Sequence, residues 1–408
     1  MMYIKRHLST VINSAKNHFP ALLITGARQV GKSTLLRNTL EIADNYFTLD
    51  DFILLEKAKT DPIGFIRELH TPLILDEIQY CPDIFRSIKL VIDENRKNGM
   101  YFLTGSQAFP LMKNLSESLA GRVGIFNLYG LSNREISGDS FDKPFLPTED
   151  YLHNRSPVAE LNHEILWNNI HRGSMPELYR NPEILPRDFY SSYLRTYIER
   201  DVRELSQVRN ELAYMQFITA LASRTGELLN IASISRDVGV SQPTIKKWIS
   251  ILETSNIIYL LQPFSRNITT RSVKTPKVYF TDTGLVCYLC KWNTPEQLKN
   301  GAQAGNIFET YVFNEIIKSI VNSGNEPSLY FYRDSNGKEV DLLFYENGTL
   351  YPVEIKKTST PRKNDINSFK ILESAFPTMK IGEGGLICSY DKLISIDTKN
   401  RIIPLKYV

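Results

Sequence analysis

The architecture of this chain follows from one octapeptide, Gly26-Ala27-Arg28-Gln29-Val30-Gly31-Lys32-Ser33. It comes after a short apolar run, residues 21–25, and fits the pattern G-x-x-x-x-G-K-[S/T] in full. Glycines let the backbone curl so that several N–H groups, and the start of the following helix, point at one phosphate. Lys32 would reach the β- and γ-phosphates, and Ser33 would offer its hydroxyl to Mg²⁺. The sequence therefore predicts a phosphate-binding loop that extends to Thr34, between a buried parallel strand and a helix.

Two further strand ends are expected to lie beside this loop. The apolar run 72–75 leads directly into Asp76 and Glu77. An acid at the carboxyl end of such a strand can hold Mg²⁺ through water, and the next acid can orient the attacking water. A third apolar strand ends in small polar residues, of which Thr104 or Ser106 could sense the γ-phosphate. Together these features predict an ATP-binding α/β domain that uses Mg²⁺.

These motifs resemble Walker A, Walker B and sensor 1 of AAA+-type P-loop ATPases. Residues 119–123 and 276–285 resemble segments of a prokaryotic AAA+ family that carries a C-terminal region of unknown function. By this resemblance, Arg122 is an arginine finger that acts on a bound nucleotide, in the same subunit or a neighbouring one. A finger in a neighbouring subunit requires at least a dimer, which makes a homo-oligomer a possible state. The alternative is a surface arginine at a turn.

The middle of the chain is predicted to be helical. Residues 138–157 are rich in Pro, Asp, Ser and Asn, which is typical of a linker or surface loop. Residues 190–205 have one apolar face and mixed charges opposite, which predicts a helix packed on the ATPase core. Residues 230–249 predict two helices around a turn at Gly239, the second capped by Ser241.

Two strands, 252–263 and 278–280, should follow these helices, joined by a loop (265–277) with four basic residues and no acid. The whole resembles a winged helix–turn–helix, which implies DNA as a partner. Its second helix is the candidate recognition helix, with the residues Gln242, Thr244, Lys246 and Lys247. Such folds also serve as spacers and as protein-contact modules, and this alternative remains open.

The last hundred residues bring acids and a lysine to neighbouring strands. Glu309 lies on an amphipathic helix, and an Asn-Gly turn predicts a meander whose strands carry Asp341 and then Glu354 and Lys356. Glu354 and Lys356 are two apart, so they point to one face. Carboxylate oxygens suit a hard cation, and a lysine can activate water or stabilise a developing phosphorane.

This set resembles the PD-(D/E)xK nuclease motif, and the helix–strand–strand order resembles the restriction-endonuclease fold. The resemblance implies metal ligands at Glu309, Asp341 and Glu354, and catalytic roles for Asp341, Glu354 and Lys356. The alternatives are a hairpin with solvent-facing charge pairs, and a domain that binds nucleic acid without cutting it. Residues 356–363 carry a second basic cluster suited to a phosphate backbone.

Composition is consistent with a cytoplasmic globular protein. The 408 residues carry 48 basic and 45 acidic side chains, so a nucleic-acid partner would depend on local patches rather than on net charge. Four cysteines cannot form a disulfide framework, and no apolar run reaches the roughly 18 residues of a membrane span. Four regions are expected: an AAA+-like P-loop NTPase core (1–137), a linker and helical region (138–210), a winged helix (211–290) and a restriction-endonuclease-like α/β domain (300–408).

The leading hypothesis is a Mg²⁺-dependent ATPase coupled to DNA engagement, with a possible nuclease centre in the C-terminal domain. A second hypothesis is an ATP-dependent regulatory switch whose C-terminal domain only binds DNA or a protein. A third is a protein-remodelling ATPase whose winged helix contacts other subunits.

Overall fold

The computed structural model describes residues 3–40, 42, 45–106, 119–158, 161–197, 210–265 and 275–408. It is an α/β protein with three sheets, and the N-terminal one is wholly parallel, in the order β2-β3-β4-β1-β5. Its strands are β1 Ala21–Thr25, β2 Tyr46–Thr48, β3 Leu73–Asp76, β4 Tyr101–Gly105 and β5 Val123–Asn127. The helices of this region are α1 Leu8–Ala15, α2 Lys32–Thr39, α3 Phe52–Thr60, α4 Pro62–Glu68 and α5 Ile84–Asn95.

The three strands predicted from the apolar runs are confirmed, and their order brings the predicted site together. Every residue of β1, β3 and β4 is buried, as expected of strands covered on both faces. β4 lies between β1 and β3, and all three run in parallel. Their carboxyl ends therefore meet at one edge of the sheet, where the phosphate loop, Asp76 and the end of β4 lie side by side.

The middle of the chain consists of short helices around a small antiparallel sheet. The helices are α6 Asn133–Ile136, α7 Glu149–Asn154, α8 His163–Arg172, α9 Pro176–Arg180, α10 Pro186–Tyr197, α11 Glu211–Ala222, α12 Ile231–Val238, α13 Gln242–Thr254 and α14 Thr283–Leu289. The strands β6 Glu227–Leu228, β7 Ile258–Leu261 and β8 Lys277–Phe280 pair in the order β6-β8-β7. We call the described residues 210–265 and 275–290 the helix–sheet module.

The predicted pair of helices is present in this module. α12 ends at Gly239, whose φ of 74° is left-handed, and the Ser241 hydroxyl accepts a hydrogen bond from the Thr244 N–H at the start of α13. The predicted strand 252–263 is shorter than expected, because Leu252 continues the buried face of α13 and the strand begins only at Ile258. Of the predicted basic loop, residues 266–274 lie outside the described residues, as do residues 198–205 of the predicted helix 190–205.

The segment 138–157, predicted to be a linker or surface loop, is irregular outside α7 and partly exposed, but it is not a free linker. This segment contains α7 and buries Phe145 and Tyr151. The Phe145 ring packs 5.9 Å from that of Phe344, and the Tyr151 hydroxyl donates to the Tyr407 carbonyl oxygen at 2.9 Å. Although the segment is mostly polar, two of its aromatic residues, Phe145 and Tyr151, attach it to the C-terminal region.

The C-terminal region is a mixed sheet covered by one long helix. Its strands are β9 Leu329–Arg333, β10 Glu339–Glu346, β11 Thr349–Lys356, β12 Lys380–Ile381, β13 Gly384–Cys388, β14 Ile394–Ser395 and β15 Asn400–Pro404, and its helices are α15 Pro295–Asn300, α16 Ala304–Asn322 and α17 Lys370–Ala375. The strand order is β14-β15-β13-β11-β10-β9, with β12 beside β11. β9, β10 and β11 form the predicted meander, and Asn347 and Gly348 both take positive φ at its second turn.

The three sheets share a continuous interior. One cluster of buried apolar side chains runs from Leu35 of α2 through Trp248 of α13 to Phe313 of α16. The sheets also touch directly, since Phe264, shortly after β7, donates its N–H to the Phe331 carbonyl oxygen of β9 at 2.6 Å. Within the described residues, no helix is both long and apolar enough to cross a membrane.

Candidate functional site

The phosphate loop has the backbone that its sequence predicts. Gly26 and Gly31 take φ of 148° and 92°, values that L side chains rarely adopt. A Cβ on Gly26 would lie 2.2 Å from the carbonyl oxygen of Leu128, so a larger residue could not fit there. Gly31 also starts α2, whose first turn carries Lys32, Ser33 and Thr34. The loop and the positive end of this helix therefore face the same space.

Lys32 is buried inside this loop. Its Nζ donates to the carbonyl oxygens of Gly26 and Ala27, at 3.1 and 2.9 Å. These two contacts hold the ammonium against the backbone of the loop. This placement is suited to a charge that acts on phosphate oxygens.

Asp76 receives hydrogen bonds from hydroxyl groups on three different elements. Ser33 of α2 donates to Oδ1 at 2.7 Å, and Tyr46 of β2 donates to Oδ2 at 2.5 Å. Thr104 of β4 also donates to Oδ1. Burial and the Asp76 carboxylate raise the pKa of Tyr46 well above its ordinary value, so Tyr46 keeps its proton and remains a donor. These donors orient the carboxylate without cancelling its charge.

Glu77 takes a strained backbone conformation with φ of 55°. Its Oε2 accepts hydrogen bonds from the Gln79 amide and, at 3.3 Å, from the Ser106 hydroxyl. Gln79 also donates to Ser106 Oγ at 3.1 Å, which closes a small network around the carboxylate. The end of β4 thus contacts both acids: Thr104 binds Asp76, and Ser106 binds Glu77.

The loop and Glu77 line a cavity of about 650 Å³, within the usual size range of small-molecule sites. The predicted residues on its wall are Gln29, Val30, Gly31, Lys32, Ser33, Thr34 and Glu77. Three charged residues that sequence reasoning missed also line it: Arg6, Glu177 and Arg180. Arg180 and Glu177 form an ion pair at 2.7 Å on α9, so the helical region closes one side of the cavity.

Arg6 connects the phosphate loop to neighbouring segments of the chain. Its guanidinium donates to the carbonyl oxygens of Val30 and Tyr129, at 2.9 and 2.7 Å, and to Glu135 Oε1 at 3.0 Å. Although burial alone would raise the pKa of Glu135, Arg6 and the backbone N–H groups of Ser132 and His7 hold it below its ordinary value. Arg6 is therefore a buried link between the loop and α6, paired with the Glu135 carboxylate.

Arg122 lies away from this cavity. Its guanidinium binds both carboxylate oxygens of Asp93 on α5, at 2.6 and 3.2 Å, and it is absent from the described residues of the cavity wall. Its side chain is about one-third exposed. The structure therefore does not bring Arg122 to the phosphate loop of its own chain.

In the C-terminal sheet, the predicted acid and lysine residues do come together. Lys356 Nζ lies 2.7 Å from Glu354 Oε1 and 3.9 Å from Asp341 Oδ2. Asp341 Oδ2 also accepts the Ile355 N–H at 2.9 Å, and Ser368 donates to Glu354 at 3.0 Å. Burial, followed by the nearby Asp341 charge, raises the pKa of Glu354 to about 7.

A lysine from another element occupies the middle of this group. Lys277 of β8 places its Nζ 3.0 Å from Glu309, 2.5 Å from Glu339 and 3.8 Å from Asp341. Burial would lower the pKa of Lys277, but its anionic neighbours raise it well above its ordinary value. Burial raises the pKa of Glu309 to about 7, against the opposing effect of Lys277. Lys277 therefore carries a full positive charge between three carboxylates.

Of the predicted metal ligands, Glu309 and Asp341 thus lie against the Lys277 ammonium, and Glu354 is paired with Lys356. Across the described ranges, no group of three or more acidic, histidine or cysteine side chains is arranged to hold a metal ion. The divalent cation that the nuclease resemblance implies does not fit this arrangement, because Lys277 Nζ occupies the space that the cation would share with Glu309 and Asp341.

A comparison with known protein families matches the segment that contains the first of these two sites. A family model described as an AAA domain matches residues 18–137, which contain the phosphate loop, both acids and the end of β4. This segment is similar to AAA domains, and we call it the AAA domain. The match confirms the prediction of an AAA-type ATPase family for the N-terminal region. Two further models, described as domains of unknown function (DUF8612 and DUF4143), match residues 163–296 and 304–408.

Individual relatives extend over the AAA domain and most of the rest of the chain. Two uncharacterized proteins, from Mycobacterium bovis and Mycobacterium tuberculosis, are each 28% identical over 369 residues, which is 88% of this chain and 76% of theirs. Among solved structures, a Walker-type ATPase of Pyrococcus abyssi gives a TM-score of 0.40 at 16% identity, covering 69% of this chain and 94% of that one. AMPPCP-bound DnaA from Aquifex aeolicus gives 0.30 at 13% identity, covering 60% and 85%.

Mg²⁺ and a nucleotide fit the AAA domain. The Ser33 hydroxyl and an Asp76 carboxylate oxygen lie 2.7 Å apart, and oxygen atoms of these two kinds are what Mg²⁺ prefers. The positive φ at Gly26 and Gly31 gives a backbone cradle that a side chain would fill. The residues present are therefore suited to both groups.

Proposed function

We propose that this protein hydrolyses ATP in its AAA domain, with Mg²⁺ as cofactor. The observation that carries the proposal is the contact between Ser33 and Asp76 directly beside the ammonium of Lys32 and the loop Gly26–Thr34. Loop N–H groups and Lys32 bind the phosphates, while Ser33 and Asp76 hold the metal. When bound, Mg²⁺ neutralises charge on the β- and γ-phosphate oxygens.

Glu77 is proposed to orient the attacking water. Its carboxylate lines the cavity, and Gln79 and Ser106 hold it in one orientation. Its strained φ of 55° supports this role, since such strain persists where the surroundings impose it and is common at functional sites. Arg122 is proposed to act only on a nucleotide of a second subunit, because its own loop is out of its reach.

Substitution of Glu77 by glutamine tests this proposal. The amide keeps the size of the side chain but cannot accept a proton, so we expect ATP to bind with unchanged affinity while turnover falls by roughly 10²–10³-fold. Turnover is measured by phosphate release, and affinity by fluorescence of a labelled nucleotide. Lys97→Met, an exposed lysine outside the cavity wall, is the control for general effects on the domain. Equal turnover in wild type and Glu77→Gln would overturn the assignment.

DNA binding is a second proposed function, through the helix–sheet module and the C-terminal basic residues. Gln242 and Lys246 are exposed on α13. Arg362 and Lys363, which follow β11, are exposed too. These exposed groups support a phosphate-backbone contact. In the double variant Arg362→Ala/Lys363→Ala, we expect the affinity for DNA to fall by about the same factor for every DNA sequence. The salt dependence of this affinity should also become weaker. A salt dependence and affinity equal to wild type would contradict this contact.

Coupling between ATP and the C-terminal region is proposed to pass through α16. Lys318 Nζ of this helix donates to the carbonyl oxygen of Leu131, a residue of the nucleotide cavity wall, at 2.9 Å. Glu315 accepts the Asn133 N–H at 2.7 Å, and six residues earlier Glu309 binds Lys277. One rigid helix thus contacts both sites. If ATP turnover is unchanged by added DNA, this coupling fails while the ATPase proposal stands.

A phosphodiesterase centre is proposed at the residues that the nuclease resemblance implies, Asp341, Glu354, Lys356 and Glu309. Their convergence supports the proposal. Because Lys277 Nζ lies where the cation would share Glu309 and Asp341, we expect cleavage of plasmid or single-stranded DNA with Mg²⁺ or Mn²⁺ from Lys277→Met rather than from wild type, and its loss when Asp341→Ala is added. If the DNA stays intact, the C-terminal domain is a binding domain and the regulatory-switch hypothesis is favoured.

A further inference from the structure

We propose that Lys277 is an internal counter-ion that closes the C-terminal carboxylate centre to divalent cations. On this view Glu309 and Asp341 form a cation site that becomes available only when the Lys277 ammonium leaves it. The inference rests on the proposed phosphodiesterase centre for its biological meaning. Its physical content, the competition between Lys277 and a cation for the same oxygens, can be tested separately.

The position of Lys277 is built into the fold. Lys277 and Tyr279 are two apart on β8, so both side chains point to the same side of the strand, toward α16. There, Glu309 Oε1 accepts a hydrogen bond from each, at 3.0 and 2.6 Å. The Tyr279 ring stacks on Phe313 of α16 with centroids 4.0 Å apart. This stacking fixes the end of β8 against the helix that carries Glu309.

The oxygens around Lys277 are the ones that a cation would need. Mg²⁺ and Ca²⁺ bind carboxylate oxygens at about 2.0–2.6 Å. Lys277 Nζ already lies 3.0 Å from Glu309 and 3.8 Å from Asp341, so a cation between these groups would lie within a few ångströms of the ammonium. Two positive charges at that separation repel strongly in a buried setting, where solvent screens them little.

The charges of this group explain why the cation site would become available only without Lys277. Glu309, Glu339, Asp341 and Glu354 lie in one connected group with Lys277 and Lys356, and Arg333 lies 3.5 Å from the outer edge of Glu339. Without Lys277, Glu309 has no cationic partner among these ion pairs. The space vacated beside Glu309 and Asp341 then carries uncompensated negative charge, which attracts a divalent cation.

A cleft gives solvent access to this position. A cleft of about 470 Å³ lies between the helix–sheet module and the C-terminal sheet, and Lys277 forms part of its wall. Arg224 and Asn230 line it from the module, and Arg333 and Glu339 line it from the sheet. Small separation of these two walls would move Lys277 on β8 relative to Asp341 on β10. The counter-ion and most of its carboxylates thus belong to different parts of the fold.

The test is Mn²⁺ binding to the full-length protein without nucleotide, by calorimetry and by electron paramagnetic resonance. We compare wild type with Lys277→Met, which keeps the side-chain length and removes the charge. We expect Mn²⁺ affinity to rise at least tenfold in Lys277→Met and to return to the wild-type value when Asp341→Asn is added. Lys338→Met, an exposed lysine beside Glu339, is the matched control and should bind Mn²⁺ as wild type does.

Equal Mn²⁺ affinity in wild type and Lys277→Met would overturn the proposal, as would a gain that survives Asp341→Asn. Lys277→Met combined with Glu339→Gln removes one charge of each sign and serves if the single variant does not fold. Wild type provides a further test that needs no substitution of the buried Lys277. Tight Mn²⁺ binding to wild type that Asp341→Asn abolishes would also overturn the proposal.

Plasmid cleavage separates this proposal from the nuclease proposal. If Lys277→Met binds Mn²⁺ more tightly and the plasmid stays intact, Lys277 closes a cation site and the nuclease proposal fails. If wild type cleaves the plasmid in a manner that depends on Asp341, the nuclease proposal stands and the role of Lys277 fails.

Discussion

The AAA site and the C-terminal centre are built from the same groups, buried carboxylates and a buried lysine, but they pair them differently. In the AAA site, Asp76 is held by hydroxyl groups, and Lys32 is held by backbone carbonyl oxygens. In the C-terminal centre, Lys277 binds the carboxylates directly. Neutral partners orient a charge and leave it intact, whereas an ammonium cancels it. On our proposals, the first site is therefore open to a divalent cation, and the second is closed.

Removal of the Lys32 charge should have the largest effect. Lys32→Met keeps the apolar stem but loses the donor to phosphate oxygens, so we expect ATP turnover to fall by roughly 10²–10³-fold. Phosphate release measures this, and Lys97→Met should match wild type. If Lys32→Met retained normal turnover, the reaction would not depend on this loop. The lysine would then be structural, as Lys277 is in the closed centre.

Removal of one carboxylate charge should change ATP turnover when it is made in the AAA site and not when it is made in the C-terminal centre. Asp76→Asn should lower Mg²⁺-dependent ATP turnover about 10–100-fold, the range for groups that support a bound metal. Asp341→Asn should leave the Mg²⁺ dependence of ATP turnover unchanged, because Asp341 faces Lys277 and Lys356. A Mg²⁺ titration of turnover measures both. If the Mg²⁺ dependence of ATP turnover changed equally in the two variants, the two centres would share one cation. That result would contradict the difference between the centres described above.

A smaller effect is expected from the hydroxyl that orients Asp76. Tyr46→Phe removes the donor to Oδ2 and leaves the ring in place, so the carboxylate loses one of its three hydroxyl partners. A hydrogen bond to a charged group is worth roughly 1.5 kcal/mol, so the Mg²⁺ concentration for half-maximal turnover should rise by up to about tenfold. Thermal unfolding should change little. An unchanged Mg²⁺ dependence would mean that Ser33 and Thr104 orient Asp76 without Tyr46.

The sequence predicted which residues come together at the AAA site because the parts of this site are local. Each of its main groups follows a short apolar strand, and parallel strands meet at one edge by topology alone. Tyr46 escaped this reasoning, since it begins its strand rather than following it, and its long side chain carries the hydroxyl to Asp76. Arg6 and Arg180 escaped it too, because they reach the cavity from distant segments without a shared spacing. Arg122 carried a family resemblance, yet its nearest acid, Asp93, lies on another element.

The C-terminal centre was predicted only in part for the same reason. The Asn-Gly turn and the two-residue spacing of Glu354 and Lys356 indicated a meander with polar groups on one face. Lys277 was placed in a basic loop facing DNA, because its neighbours in sequence are basic. In the structure it begins β8 and is buried, since the strand turns its side chain toward Glu309. Only the tertiary fold shows which charges meet.

The most direct test of the two-centre account is a count of tightly bound Mn²⁺ per chain, by electron paramagnetic resonance, with a non-hydrolysable ATP analogue present. The account predicts one ion in wild type, lost in Asp76→Asn and retained in Asp341→Asn. Two ions in wild type, with one lost in Asp341→Asn, would show that the C-terminal centre is open and would contradict the account.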